Sequence, residues 1–398
     1  MNNVLDLKEI GMDSFFSKKM NPYNYIPLFN GSKFEFYEID FIGVMDFLSK
    51  NELVKKQFHS ILLENINLYF SEKNISIINN GKEDLRDKNV IPFSSFFKSR
   101  RMSSSGVPST ITGFGNNFFF YIPETLWTYS LIANLPKIMS ETRISLAPAY
   151  YKSFNWEEYN KTEKRDFPLY YYNPKIDSAL EAANEIKERK VDAVYSYVDN
   201  IAYICFSLLK KGYSEKLAER LVITGNYCYD FYLDLFSLFF DKIYDSCKTY
   251  DGGLFFKRFL SRENGWDRRY TVNDCFCHIE EESDGRVIVS DLLNYCAPFI
   301  GYTNDNFFIR NFSGEIVSIT REPNEWISMA EKVGKIIVDN RLSNINFKIS
   351  KKKKKVYYCS YSSKLDSFCR SIGFELCVLG KGIRPLGLKH SFFMRESQ

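Results

Sequence analysis

No apolar run in this chain approaches the ~20 residues that span a bilayer, so a membrane-crossing helix is not expected. Net charge is nearly absent as well. The 53 basic and 49 acidic residues leave only +4, too little to draw the whole molecule to nucleic acid or anionic lipid. The N-terminal stretch MNNVLDLKEIGMDSFFSKK carries acidic residues and no continuous apolar segment, which argues against a secretory signal or an organellar presequence. Nine cysteines form an odd, scattered set rather than a disulfide framework, and point to reduced thiols. A dense Cys/His cluster occurs once, CFCH at 275–278. No second ligand pair of zinc-finger spacing follows it, and strand-like alternation would put Cys275 and Cys277 on one face as packed, reduced side chains. There is no internal repeat. These absences lead to the expectation of a soluble, cytoplasmic protein whose partners are decided by local sites.

What the chain has in quantity is apolar and aromatic side chain. With 398 residues, 45% hydrophobic, 36 Phe and 27 Tyr, it can bury a large core, and its length suggests two or three domains. Up to about 100 the sequence reads as mainly helical, with FIGVMDFLSKNELVKKQFHSILLENINLYFSEKN showing apolar residues at three-to-four spacing. From 118 to 174 the signals become strand-like and end in PLYYYNP. Then KIDSALEAANEIKERK reads as a helix, VDAVYSYV as a short buried strand, and NIAYICFSLLKKG as a helix closed by glycine. AERLVITGN, FYLDLFSLFFDK and IYDSCKTYDGG repeat the order strand, helix, strand. Such alternation predicts an α/β fold with parallel βαβ units, whose ligands sit beyond the carboxyl ends of the strands. RVIVSDLLNYCAPFIGY reads as a strand entering an Asp-containing turn. The run KISKKKKKVYYCSYSS is expected to be a solvated, self-repelling segment near a hinge, dividing a large body, 1–345, from a small α+β lobe, 346–398.

The stretch RRMSSSGVPSTITGFGNN, at 100–117, places small and hydroxyl-bearing residues between a basic pair and the aromatic run FFFYIP. Such a loop lets backbone N–H groups and hydroxyls converge on an anion, although it also suits an ordinary surface connection.

Five pieces, in order, resemble the AMP-forming adenylating enzymes, and in particular their phenylacetate-CoA ligase-like branch. They are SSSGVPST at 103–110, RLVITGNYCYDFYLDLFSLFF at 220–240, IYDSCKTYDGG at 243–253, GRVIVSDLLNYCAPFIGYTND at 285–305 and GLKH at 387–390. The resemblance implies a large, multi-subdomain adenylate-forming body with parallel and mixed sheets and a shortened C-terminal lobe. It implies a ligase that uses ATP and Mg2+ to activate a carboxylic acid as an acyl adenylate. The acyl group then passes to a thiol, of coenzyme A or of a carrier protein, or to an amine. Ser103, Ser104, Ser105, Gly106, Ser109 and Thr110 correspond to the loop that holds the β- and γ-phosphates. Gly225 and Asn226 correspond to the turn against adenine, with Asp245, Ser246 and Cys247 near the adenine wall. Asp251 matches the acidic residue that reaches the metal, with a plain turn-forming role as its alternative. Asp305 matches the ribose-binding carboxylate, one place early, and Lys389 matches the C-terminal lysine that neutralises the reacting groups.

The departures from the pattern are specific. Val107 and Pro108 stand within the phosphate loop, Cys247 and Lys248 replace a Tyr-Gly pair, and Gly301 replaces an arginine. Lys248 would supply a cation that the loop lacks. The same departures support an alternative, a catalytically degenerate nucleotide-binding homologue with a regulatory or assembly role. A nucleic-acid surface built on the lysine run is a third reading, which the near-neutral charge disfavours.

Overall fold

The computed structural model describes residues 3–18, 25–75, 99–104, 118–123, 125–126, 129, 143–146, 169–172, 179–224, 227–249, 254–260, 269–283, 285–297, 299–320, 324–380 and 392–394. The chain opens with α1 (Asn3–Glu9), β1 (Phe16–Ser17), β2 (Tyr25–Phe29) and β3 (Phe34–Ile39), and the three strands pair antiparallel in the order β1-β3-β2. This small sheet is added to a stretch in which helix still outweighs strand among the described residues, in keeping with the mainly helical reading. YIPLF and FEFYEI are short aromatic-rich runs, and the turn between them is closed by Asn30, whose Oδ1 accepts from the Ser32 and Lys33 amides. Helices α2 (Phe41–Ser49) and α3 (Glu52–Glu72) follow as expected, and the Asp40 carboxylate caps α2 by accepting from the Gly43 amide at 3.0 Å. In α3 the buried residues Phe58, Leu62, Ile66 and Phe70 recur one turn apart and face the core.

Next come the antiparallel pair β4 (Ser99–Ser104) and β5 (Phe118–Pro123). The central sheet takes β6 (Arg143–Leu146), β7 (Leu169–Tyr172), β8 (Ala193–Tyr197), β9 (Ala218–Thr224), β10 (Phe240–Thr249), β11 (Leu254–Leu260) and β12 (Thr271–Asn273), in the order β12-β11-β10-β9-β8-β6-β7. From β7 to β10 neighbouring strands run parallel, and β11 and β12 are added antiparallel. Helix α4 (Ala179–Glu188) precedes β8, α5 (Val198–Lys210) links β8 to β9, and α6 (Asp230–Phe236) links β9 to β10. The expected βαβ units are therefore present. Helix α5 stops where Gly212 adopts φ +76 and the Tyr213 and Gly212 amides bond back to the carbonyls of Leu208 and Leu209. The chain runs outward from β6 to β7 on one side and from β8 to β9 on the other, so the order reverses between the adjacent strands β6 and β8. In open α/β sheets that reversal marks the ligand-binding edge, at the strands' carboxyl ends.

A four-stranded antiparallel sheet follows: β13 (Cys277–Glu281), β14 (Arg286–Asp291), β15 (Tyr302–Arg310) and β16 (Ile316–Thr320). The chain continues through α7 (Asn324–Asp339), β17 (Lys348–Ser350), β18 (Lys355–Tyr358), α8 (Ser363–Ser371) and β19 (Glu375–Val378), with a last sheet ordered β17-β18-β19. Two hydrophobic cores organise these parts. One joins α1–α3 to the four-stranded sheet. The other joins α4–α6 to α7 and the last segment, through Val333, Phe347, Val356, Leu365 and Phe392 among others. The division expected near 345 thus separates segments that share one core.

The lysine run is not a linker. Residues 351–354 form the turn of the antiparallel hairpin β17–β18. Lys351 Nζ lies 4.9 Å from the Trp326 ring centre and 5.0 Å from that of Phe393, and Lys355 pairs with Glu375 at 3.2 Å. Ring faces and a carboxylate thus partner the two ends of the run, while Lys352, Lys353 and Lys354 between them are exposed, as expected of a solvated segment. Among the described residues no helix is long and apolar enough to cross a membrane.

Candidate nucleotide-binding edge

The carboxyl ends of β8 and β9 and the middle of β10 lie level with one another. Ser196 of β8 and Asp245 of β10 both register with Ile223, one residue before the end of β9. Asp245 is buried, and its Oδ2 accepts a 2.6 Å hydrogen bond from the Tyr270 hydroxyl. The Tyr270 amide in turn donates to the carbonyl of Ile316 at 2.8 Å. One residue therefore ties this point of the central sheet to β16 of the four-stranded sheet. Ser246 is also buried, and successive side chains of a strand face opposite sides, so it looks away from the Asp245 face. Its Oγ has no hydrogen-bond partner, a cost of roughly 1–3 kcal/mol that a bound polar group would relieve.

The remaining expected site residues divide by location. Ser103 and Ser104 are the last two residues of β4, paired with Phe119 and Phe118. Cys247 and Lys248 continue β10, in register with Phe256 and Phe255 of β11. Asp305 belongs to β15, in the stretch between the Thr303–Ile288 and Phe307–Arg286 pairs where the register shifts. Ser105, Gly106, Ser109, Thr110, Gly225, Asn226, Asp251 and Lys389 lie outside the described residues. On the Lys389 side, Phe392 is the next described residue; its ring lies 5.1 Å from that of Tyr229, just before α6, and 4.0 Å from that of Phe347, on which it stacks.

The SDLLNYCAP turn, the most distinctive sequence piece, is built from its own polar side chains. Asp291 Oδ1 accepts from the Leu293 amide at 3.0 Å, and Asn294 Oδ1 accepts from the Cys296 and Ala297 amides. Ser290 Oγ accepts from the Gly301 amide at 2.9 Å. Asp291 is wholly buried, its Oδ2 has no partner, and burial pushes its carboxyl up to about 7, against the bonding of the Leu293 and Asn294 amides. Gly301 has φ +62 with open space where a Cβ would stand. The backbone here favours glycine.

Sequence reasoning missed several polar residues at this edge. Asp199, buried in the first turn of α5 directly after β8, lies in the field of Lys348 on β17. Burial brings the Lys348 ammonium down to about 8, partly offset by the attraction of Asp199. The phenol of Tyr232, buried in α6, is held well above its usual range, first by burial and then by Asp199. Glu331 of α7 accepts from the first two amides of α6, those of Asp230 and Phe231, at 2.7 and 3.4 Å. No local motif announces pairs that are 100 or more residues apart.

The CFCH cluster is structural. Cys277 opens β13, whereas Cys275 lies in the preceding turn, and both are buried. Burial pushes the Cys275 thiol up to about 12 and that of Cys277 well above its usual range, so both rest as protonated, packed thiols. Among the described residues no group of three or more His, Cys, Asp or Glu side chains forms a metal cage.

The fold has known counterparts. The chain superposes on 2-hydroxyisobutyryl-CoA ligase, solved in the postadenylation state with R3-HIB-AMP, with a TM-score of 0.53 and 9% identity over 89% of each chain. The chain has the adenylate-forming enzyme fold. A second solved structure, that of IdnL7, aligns with a TM-score of 0.51 and 10% identity over 69% of this chain and 64% of that one. Against the N-terminal subdomain of Klebsiella oxytoca NpsA the match spans 55% of this chain and 62% of that one, with 10% identity and a TM-score of 0.38, too loose to weigh. No family model and no curated protein matches the sequence.

Proposed function

We propose that the protein is an AMP-forming carboxylate ligase of the phenylacetate-CoA ligase-like type, with its nucleotide seated at the carboxyl edge of the central sheet. The observation that carries this reading is the position of Asp245 and Ser246, level with the end of β9, in a chain with the adenylate-forming fold. In the proposed reaction a carboxylate oxygen of the acid attacks the α-phosphorus of ATP and pyrophosphate leaves. An acceptor thiol, of coenzyme A or of a protein, or an amine then attacks the acyl carbonyl and AMP leaves. Catalysis of this kind rests on positioning and on neutralising the spread charge. Asp245, fixed by Tyr270, would face the adenine, and Gly225 and Asn226 would contact the base. Asp305 would hold the ribose hydroxyls, and Lys389 would neutralise the carboxylate and α-phosphate. Magnesium, which supplies charge neutralisation at the phosphates, binds through one or two carboxylates plus phosphate oxygens and needs no cage of side chains. Asp251 is the residue proposed to hold it.

A second reading, a nucleotide-binding protein that has lost the chemistry, is favoured by Gly301, whose positive φ disfavours the arginine that the resemblance leads one to expect. Pyrophosphate exchange into ATP, run over a panel of aromatic and aliphatic acids, separates the two. Exchange with any acid supports the ligase, and Asp251→Ala should then abolish it while Lys389→Ala slows it and leaves folding intact. Nucleotide binding without exchange supports the second reading. Absence of nucleotide binding would sink both.

A further inference from the structure

We propose that Glu331 is a positioning residue for the nucleotide base, acting through the first turn of α6. The inference rests on the function proposed above, which assigns the turn after β9 to adenine. That turn lies between two fixed points. On one side is β9, held between β8 and β10. On the other is the start of α6, and this end is held from outside the βαβ unit. Glu331 reaches back 101 residues in sequence to the Asp230 amide and 100 to that of Phe231, two donors of the first helical turn that have no partner within the helix. The N-cap residue itself, Tyr229, makes no side-chain capping hydrogen bond.

The approach that allows this reach is built into α7. Gly334, one turn on from Glu331, faces Phe231, and a Cβ at Gly334 would lie 2.2 Å from a carbon of that ring. Only glycine lets α7 come this close without displacement. Tyr229, at the mouth of the helix, is further enclosed by the Phe231 ring at 5.5 Å and the Phe392 ring at 5.1 Å. The carboxylate, the glycine and the rings together make α7 a brace behind the base-binding turn. Because the brace acts on the turn after β9 and not on the loop at 103–110, it bears on the base and not on the triphosphate. Its loss should therefore separate ligands that carry adenine from one that does not.

The test uses the full chain and three probes, ATP, adenosine and inorganic tripolyphosphate, with affinities measured by calorimetry. Glu331→Ala should weaken ATP and adenosine alike by about tenfold, the order expected for losing hydrogen bonds to a charged acceptor, and leave tripolyphosphate unchanged. Glu331→Gln keeps one acceptor oxygen and should recover most of the affinity. Gly334→Ala, which keeps the carboxylate but moves α7, should repeat the selective loss. Hydrogen exchange should show faster exchange of the Asp230 and Phe231 amides in Glu331→Ala, with the sheet amides unchanged. Equal loss for all three probes, or ATP binding in Glu331→Ala equal to that of the parent, overturns the inference. A parent protein that binds none of the three probes removes the proposed function itself, and the role of Glu331 with it.

Discussion

Replacing Asp291 by asparagine tests the electrostatics of the best-defined turn. The carboxyl is wholly buried, one oxygen bonds to the Leu293 amide, and the other has no partner. Burial raises it from 3.8 to about 7. The folded state therefore prefers the protonated acid, whereas the unfolded chain ionises near its ordinary value. The contribution is fully present below about pH 4 and is lost as pH rises through about 7, because the native state keeps a proton that the unfolded state has released. About three units at roughly 1.4 kcal/mol each give a loss of about 4 kcal/mol across that window. Asparagine keeps an oxygen for the Leu293 amide and carries no charge at any of these pH values. The difference in stability, Asp291→Asn minus parent, should be small at pH 4.5, grow through pH 6, and level off near pH 8 at up to about 4 kcal/mol in favour of the variant. Urea midpoints followed by circular dichroism at the three pH values read this difference. Comparing the two proteins at each pH cancels the other titrating groups. A gap that stays constant or shrinks with rising pH would refute the reasoning.

Other perturbations have equally definite outcomes. Asn65, buried in α3, accepts from the Phe29 amide and donates to the Pro27 carbonyl and the Tyr295 hydroxyl, so Asn65→Leu should cost about 3 kcal/mol or more by urea denaturation. Tyr270→Phe removes the 2.6 Å bond to Asp245 and should weaken ATP binding roughly tenfold while leaving far-ultraviolet circular dichroism unchanged; undiminished affinity would take Tyr270 out of the site. Gly301→Arg meets no steric obstacle but forces a side chain onto φ +62, so about 1–2 kcal/mol of stability should be lost. If the chemistry was given up with the arginine, the same variant should raise nucleotide affinity in calorimetry, and unchanged affinity counts against that history.

The legible part of the fold was its periodic part. Over 179–249 the alternation of three-to-four spacing with short β-branched runs specified α4, β8, α5, β9, α6 and β10, and Gly212 marked the end of α5. The strands at 25–39 were harder to read because FEFYEI interleaves acids with rings of which Phe34 and Phe36 are half-buried and Tyr37 is buried, which leaves no clean two-residue alternation. The lysine run was legible in part. Lys352, Lys353 and Lys354 are exposed as read, whereas only the fold brings Trp326 and Phe393 against Lys351 and Glu375 against Lys355. Asp245 was singled out because it lies in a motif, whereas the hydrogen bond it accepts from Tyr270 and those that Glu331 accepts from α6 are contacts across the fold that no spacing rule encodes.

The core that α4–α6 share with the final segment has a consequence for how the molecule comes into being. A ribosome makes the parallel strands first, yet the rings of Tyr229, Phe231 and Tyr232 find a partner in Phe392, far later in the chain. The nascent sheet must therefore hold its sticky flank in waiting until Phe392 has emerged, and a product terminated before that residue would carry the flank uncovered.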